Sequence, residues 1–214
     1  MSRQLRTLRL ATGNPDLIVL LPGAYMKPED FVQAGFLSTT EQRRLQLDIT
    51  LVDLDLEMIS DGSAVLAVVD QIVLPARQSY QRVWLGGISL GGLLSLCLNA
   101  DYPGAVDGLC LIAPYPGSRL TTNAINRAGG LDIWQATDDE LTDPEFRAYR
   151  WLKAPPTDFP VFAGYGSEDR FAEGMKAIAE RFPANARCAV PGSHDWPAWQ
   201  VLWEHFLELG HFAT

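Results

Sequence analysis

The chain is 214 residues long, about one domain, and its 47% hydrophobic content is enough to fill a continuous core. Its net charge of −9, from 17 basic and 26 acidic side chains, argues against a nucleic-acid partner, whose phosphates require a basic face. No apolar stretch approaches the roughly 20 residues that cross a bilayer, so no membrane span is expected.

In chain order, a weak apolar run at 5–11 predicts an edge strand or hairpin, and a stronger one at 17–21 predicts a buried strand. Arg3, Arg6 and Arg9 precede that run, but five apolar residues are too few for a secretion signal, which leaves a cytoplasmic setting as the expectation. Further Val-, Ile- and Leu-rich runs follow at 49–54, 82–86, 108–113, 160–164 and 187–190. Each is bounded by Gly, Pro, Asp or Ser, as strands covered on both faces are. Helical spacing appears between them at 63–73, 91–100 and 171–181, and again at 196–209, where Trp199, Leu202, Trp203, Phe206 and Leu207 recur on one side. Strand-helix alternation of this kind predicts a single α/β domain over 1–214 with a mostly parallel sheet.

One connection breaks the rhythm. Over forty residues separate the runs at 108–113 and 160–164, with apolar positions Ile125, Leu131, Ile133, Trp134, Leu141, Phe146, Tyr149 and Trp151. An insertion of this length, about 119–156, is expected to be partly helical and to form a cap over a site. The three cysteines, Cys97, Cys110 and Cys188, have no metal-type spacing and sit among apolar residues. They are expected to be reduced and buried, and neither a metal nor another cofactor is expected.

The chemistry centres on Gly87-Ile88-Ser89-Leu90-Gly91. A Gly-x-Ser-x-Gly pattern arises by chance roughly 0.07 times in a chain of this composition, so its flanks carry the argument. Here an apolar strand runs in and an apolar helix runs out. Such a turn strains the serine backbone, and neighbours within two residues must lack a bulky side chain. In return, the hydroxyl stands at a helix N-terminus, where free N–H groups favour developing negative charge.

A serine hydroxyl needs a base to take its proton. His205 falls within the last helix and His211 in the tail, whereas His194 follows the last strand, at the sheet edge where open α/β folds place their sites. An alternative for His194 is a place in the helix cap, since Ser193 or Asp195 can start the final helix. An acid that orients the base is expected after the strand at 160–164, as Asp169 with Glu168 as competitor. Asp53 and Asp55 also flank a strand end, but they precede the serine. For the oxyanion, the Leu90 N–H supplies one donor, and the loop Pro22-Gly23-Ala24-Tyr25 a second, through Ala24 or else Tyr25.

The order Ser, Asp, His, with the Gly-x-Ser-x-Gly elbow, the Pro-Gly-Ala-Tyr loop and Gly192-Ser193-His194-Asp195-Trp196, resembles the α/β-hydrolase superfamily from about residue 16 to 208. The resemblance implies a triad of Ser89, Asp169 and His194 with oxyanion donors at Leu90 and Ala24. It departs from the family in having Pro22 where many members have His, and in its short N-terminus. A serine nucleophile implies acyl transfer to water on a small acyl substrate, with a carboxylic ester favoured over a thioester. Tyr25, Trp134 and Trp151 are the expected substrate-binding residues. The acidic run Asp138, Asp139, Glu140 and Asp143 disfavours polyphosphate-bearing thioesters. The contrasting reading is a binding module that kept the fold without the chemistry.

Overall fold

The computed structural model describes residues 4–214. Its strands are β1 (Thr7–Leu10), β2 (Asp16–Leu21), β3 (Leu47–Val52), β4 (Arg82–Ile88), β5 (Gly108–Ile112), β6 (Val161–Gly166) and β7 (Arg187–Val190). They form one sheet in the order β1-β3-β2-β4-β5-β6-β7, parallel throughout except for β1, which runs antiparallel to β3. The weak N-terminal run is therefore the edge strand, and its mixed burial reflects one open side.

The helices are α1 (Pro28–Gln33), α2 (Phe36–Gln42), α3 (Leu56–Ser60), α4 (Ser63–Val68), α5 (Leu74–Ala76), α6 (Leu90–Asp101), α7 (Arg119–Arg127), α8 (Pro144–Lys153), α9 (Ala172–Ala179) and α10 (Trp196–Glu208). A π-helical turn at Val69–Val73 joins α4 to α5, so the segment read as one helix is a helix with a wide turn inside it. The sequence reading missed α1 and α2, which are short and carry few apolar residues. Phe31 and Phe36 are nevertheless fully buried there, and the Trp203 indole N–H donates to the Phe36 carbonyl at 3.0 Å, fastening α2 to α10.

Strand alternation builds two cores. Leu17, Val19 and Leu21 of β2, Val83 and Leu85 of β4, and Leu109 and Leu111 of β5 face one layer with α4, α6 and α8. Ile18, Leu20, Trp84, Cys110 and Ile112 face the other, with Phe31, Phe36, Trp203 and Phe206 of α1, α2 and α10. Both faces of the central strands are thus covered, which is why their sequences are continuous apolar runs. Cys188 departs from the expectation of a buried cysteine. It lies half-buried on β7, an edge strand whose burial alternates.

The long connection at 119–156 contributes α7 and α8. Helix α8 packs against α6, and Phe146, Ala148, Tyr149 and Leu152 enter the same core as Leu85 and Leu93. This part of the connection belongs to the layer covering the sheet. Among the described residues, no helix is long and apolar enough to cross a membrane.

The chain winds from β2 to β3 on one side and then to β4 on the other. Connections leave the carboxyl ends of β2 and β4 in opposite directions, opening a crevice there, the place where open α/β sheets hold their ligands.

Candidate active site

Ser89 stands at that crevice, directly after β4 and as the N-cap of α6, with φ 54° and ψ −114°. A non-glycine residue in this region is strained, and the surroundings hold it in place. The Ser89 N–H donates to the Ile112 carbonyl at 3.0 Å, and its own carbonyl accepts from Gly92, Leu93 and Tyr115. Gly87 and Gly91 have no alternative: a methyl group on either would collide with backbone, of Gly91 in one case and of Leu21 in the other. The second contact presses the loop after β2 against the first turn of α6.

His194 lies on the loop between β7 and α10. Asp195 next to it is the helix N-cap and accepts from the Ala198 N–H at 3.4 Å, so the capping role falls on Asp195 and leaves the imidazole free to turn inward. The His194 Nε2 is 2.9 Å from Ser89 Oγ, and Nδ1 is 2.5 Å from Asp169 Oδ2. Asp169 sits on the loop after β6, its carboxylate fully buried, with Oδ1 accepting from the Phe171 N–H at 2.8 Å. An ionised carboxylate only accepts, so Nδ1 carries the proton and Nε2 presents its lone pair to the serine hydroxyl. Of the two candidate acids, Asp169 meets the imidazole. Glu168 is exposed, and its backbone N–H donates to the Gly192 carbonyl at 3.0 Å.

Leu90 is the first residue of α6, so its N–H has no carbonyl within the helix to bond. Across from it lies the loop after β2. A methyl on Gly23 would sit 3.5 Å from Ser89 Cβ, which places this loop against the serine. Ala24 and Tyr25 follow on the exposed tip, Tyr25 with φ 64° and 85% exposure. The turn is closed by the Met26 N–H donating to the Gly23 carbonyl at 3.2 Å, while the Gly23 N–H donates to Met26 Sδ at 3.0 Å.

The structure does not bring Trp134 and Trp151 to this group. Trp134 is buried and stacked on Phe146, with centroids 5.8 Å apart, and Trp151 packs against Phe159 and Phe182. Trp151 lies on α8 and Trp134 stacks on Phe146 of the same helix, so both rings join the layer around α6. The aromatic neighbours of His194 are Phe171 and Trp199, both edge-on, at 5.7 and 5.1 Å. Tyr115 packs on Phe171 at 5.3 Å, and the Arg170 guanidinium lies 4.7 Å over the same ring. The sequence reading gave none of these residues a place at the site: Tyr115 follows β5, Phe171 is two residues past Asp169, and Trp199, read only as one of the apolar residues of the last helix, lies in its first turn.

The other candidates have structural partners. Asp53 pairs with Arg6 and Lys27, and Asp55 caps α3 by accepting from Met58. His205 is exposed beside Glu208, and His211 packs on Trp84. Among the described residues, no group of three or more His, Cys, Asp or Glu side chains is placed to hold a metal ion. Burial raises the thiol pKa of Cys97, Cys110 and Cys188, which keeps them protonated and unreactive.

No family model matches the sequence, and no curated protein does. Solved structures match closely in shape. Est1E from Butyrivibrio proteoclasticus is similar with a TM-score of 0.64 and 17% identity, over 96% of this chain and 94% of that one. S-formylglutathione hydrolase from Staphylococcus aureus has a TM-score of 0.64 and 11% identity, over 90% and 79%. Alpha/beta hydrolase domain-containing protein 10 from mouse has a TM-score of 0.62 and 18% identity, over 98% and 96%. The chain has the α/β-hydrolase fold.

Proposed function

We propose that this protein is a serine hydrolase that cleaves small carboxylic esters through an acyl-enzyme intermediate. The observation that carries the reading is His194, whose two ring nitrogens reach Ser89 on one side and a buried carboxylate on the other. Three residues far apart in sequence meet in the one order that lets a hydroxyl lose its proton.

In the proposed reaction, Ser89 Oγ attacks the ester carbonyl while His194 Nε2 takes the hydroxyl proton. Asp169 stabilises the resulting imidazolium and fixes its orientation. The carbonyl oxygen gains the negative charge and is held by the N–H groups of Leu90 and Ala24. Collapse breaks the bond to the alcohol, which leaves with the proton from His194. Water then attacks the acyl-serine with His194 again as base, releasing the acid and restoring Ser89. The rings of Phe171, Trp199 and Tyr115 exclude water on the histidine side and strengthen each charge interaction. Tyr25, exposed beside Ala24, is placed to contact the substrate as it enters. Helix α7 and the turn after it, with Leu120 63% and Ile133 67% exposed, are the part of the 119–156 connection that would act as a cap. A cytoplasmic setting belongs to the same reading, in keeping with three unpaired cysteines.

A thioester is the second reading. The same machinery serves it, and two structural neighbours are named S-formylglutathione hydrolases. Fluorophosphonate labelling with Ser89→Ala as control tests the nucleophile, and matched ester and thioester series rank the substrates. A folded protein that neither labels nor turns over either series would be a binding module instead.

A further inference from the structure

We propose that Met26 is an oxidation site whose sulfoxide closes the oxyanion side of the active site; the effect on turnover rests on the hydrolase reading above. Three observations lead there. The Met26 sulfur accepts the Gly23 N–H at 3.0 Å, in the loop that abuts the serine. A methyl on Gly23 would lie 2.5 Å from that sulfur and 3.5 Å from Ser89 Cβ, so thioether and nucleophile flank the same glycine. Met26 is also partly exposed, whereas Met58 and Met175 are buried at 8% and 0%.

A thioether is a weak acceptor and holds the Gly23 N–H only weakly. Hydrogen peroxide changes that. A sulfur lone pair attacks one peroxide oxygen, the O–O bond breaks, and the products are one sulfoxide and one water. The new oxygen carries partial negative charge and is a strong acceptor, on the loop that the proposed reaction uses to hold the oxyanion. Bonded to the Gly23 N–H more strongly than the sulfur was, it would pull on the backbone next to the Ala24 N–H that the proposed reaction uses, and its polarity would disturb the apolar packing of Met26. Reduction by a methionine sulfoxide reductase reverses the step, a dithiol giving up two electrons to become a disulfide while the oxygen leaves as water, which makes the site a reversible switch.

The experiment treats the protein with hydrogen peroxide in steps. It follows Met26 by peptide mass spectrometry, and turnover of an activated ester together with fluorophosphonate labelling on the same samples. The expected result is a loss of kcat/KM of roughly tenfold or more that tracks Met26 oxidation, by comparison with removal of an oxyanion donor. Activity returns on treatment with methionine sulfoxide reductase and dithiothreitol, a readout that needs no variant. Met26→Leu, each sample compared with its own untreated state, keeps its activity under peroxide. Full oxidation of Met26 with activity kept within twofold would overturn the proposal. So would an equal loss in Met26→Leu, which would place the lesion elsewhere, or peroxide that oxidises Cys188 and spares Met26. If the untreated protein never labels at Ser89, the hydrolase reading fails, and the mass spectra still decide whether Met26 is the oxidised methionine.

Discussion

Gly87 and Gly91 face each other across the serine turn so closely that a methyl group on Gly87 would overlap the Gly91 backbone. Gly91 in turn abuts the carbonyls of Leu21 and Pro22. The two glycines therefore join the nucleophile turn to the loop proposed to hold the oxyanion. Backbone cannot rotate out of the way as a side chain can. Gly87→Ala and Gly91→Ala are each expected to destabilise the fold by about 1–3 kcal/mol, the usual range for overpacking. Activity should fall further than stability does, by more than about a hundredfold, because the displaced atoms are the ones that aim Ser89. Urea denaturation beside ester turnover checks both numbers. A variant that is destabilised but fully active would mean the close approach serves packing alone.

The acid is tested by neighbours. Asp169 is buried against His194, while Glu168 is exposed one position earlier. Asp169→Asn is expected to lower kcat by about 10⁴, since an amide can hold the ring with the wrong tautomer. Glu168→Gln should stay within about twofold of the parent, as surface changes usually do. Equal losses in the two variants would remove Asp169 from the mechanism.

Much of this arrangement was legible in the sequence, for identifiable reasons. Parallel strands covered on both faces become continuous apolar runs, and the runs at 17–21, 82–86 and 108–113 lie within β2, β4 and β5 or reach just past their ends. Ser89 was nominated by its Gly-x-Ser-x-Gly turn between strand and helix, and Asp169 and His194 by their places after strands, where sites gather. Tyr115 and Phe171 also follow strands but were hidden, because an aromatic there has no signature separating site wall from core, and Trp199 was read as part of the apolar face of α10. Trp134 and Trp151 show the converse. Their place in a long insertion marked them as cap residues, yet helical periodicity alone cannot say which partner a helix face will meet. Helix α8 met α6, carrying Trp151 with it and drawing Trp134 onto its Phe146. Helices α1 and α2 were too short for their periodicity to stand out.

Those positions separate in a mutational test. Trp134 is 3% exposed and stacked on Phe146, so Trp134→Ala is expected to cost about 3–5 kcal/mol, as large-to-small changes in cores do. The folded fraction should keep the parent's preference among acyl chain lengths. Phe171 packs edge-on against His194 and carries Tyr115 and Arg170 on its other faces, so Phe171→Ala is expected to change that preference and the pH profile of kcat. Initial rates on a series of ester chain lengths, corrected for folded protein, give the comparison. An altered chain-length preference in Trp134→Ala together with an unaltered one in Phe171→Ala would reverse the assignment.

His211 packs on Trp84 with centroids 4.7 Å apart, and Phe206 and Phe212 enclose it further. The Arg82 guanidinium donates to its backbone carbonyl at 2.7 Å and is itself paired with Asp16. Burial first, and the Arg82 charge second, hold the imidazole pKa below its ordinary value, and Nε2 has no partner to reward a proton. The folded chain therefore refuses a proton that the unfolded chain accepts. Above about pH 6.5, the ordinary imidazole value, both states are neutral here and the full stability is present. As pH falls from there toward the lowered folded value, the unfolded state gains and stability is lost. His211→Leu keeps an apolar side chain under Trp84 and removes the titration, so its urea midpoint is expected to fall less between about pH 7 and pH 5 than the parent's. Every other titratable group is common to the two proteins, so the difference between the two curves isolates residue 211. Superimposable pH dependences would show that the buried ring protonates as readily folded as unfolded, and that the tail carries no such cost.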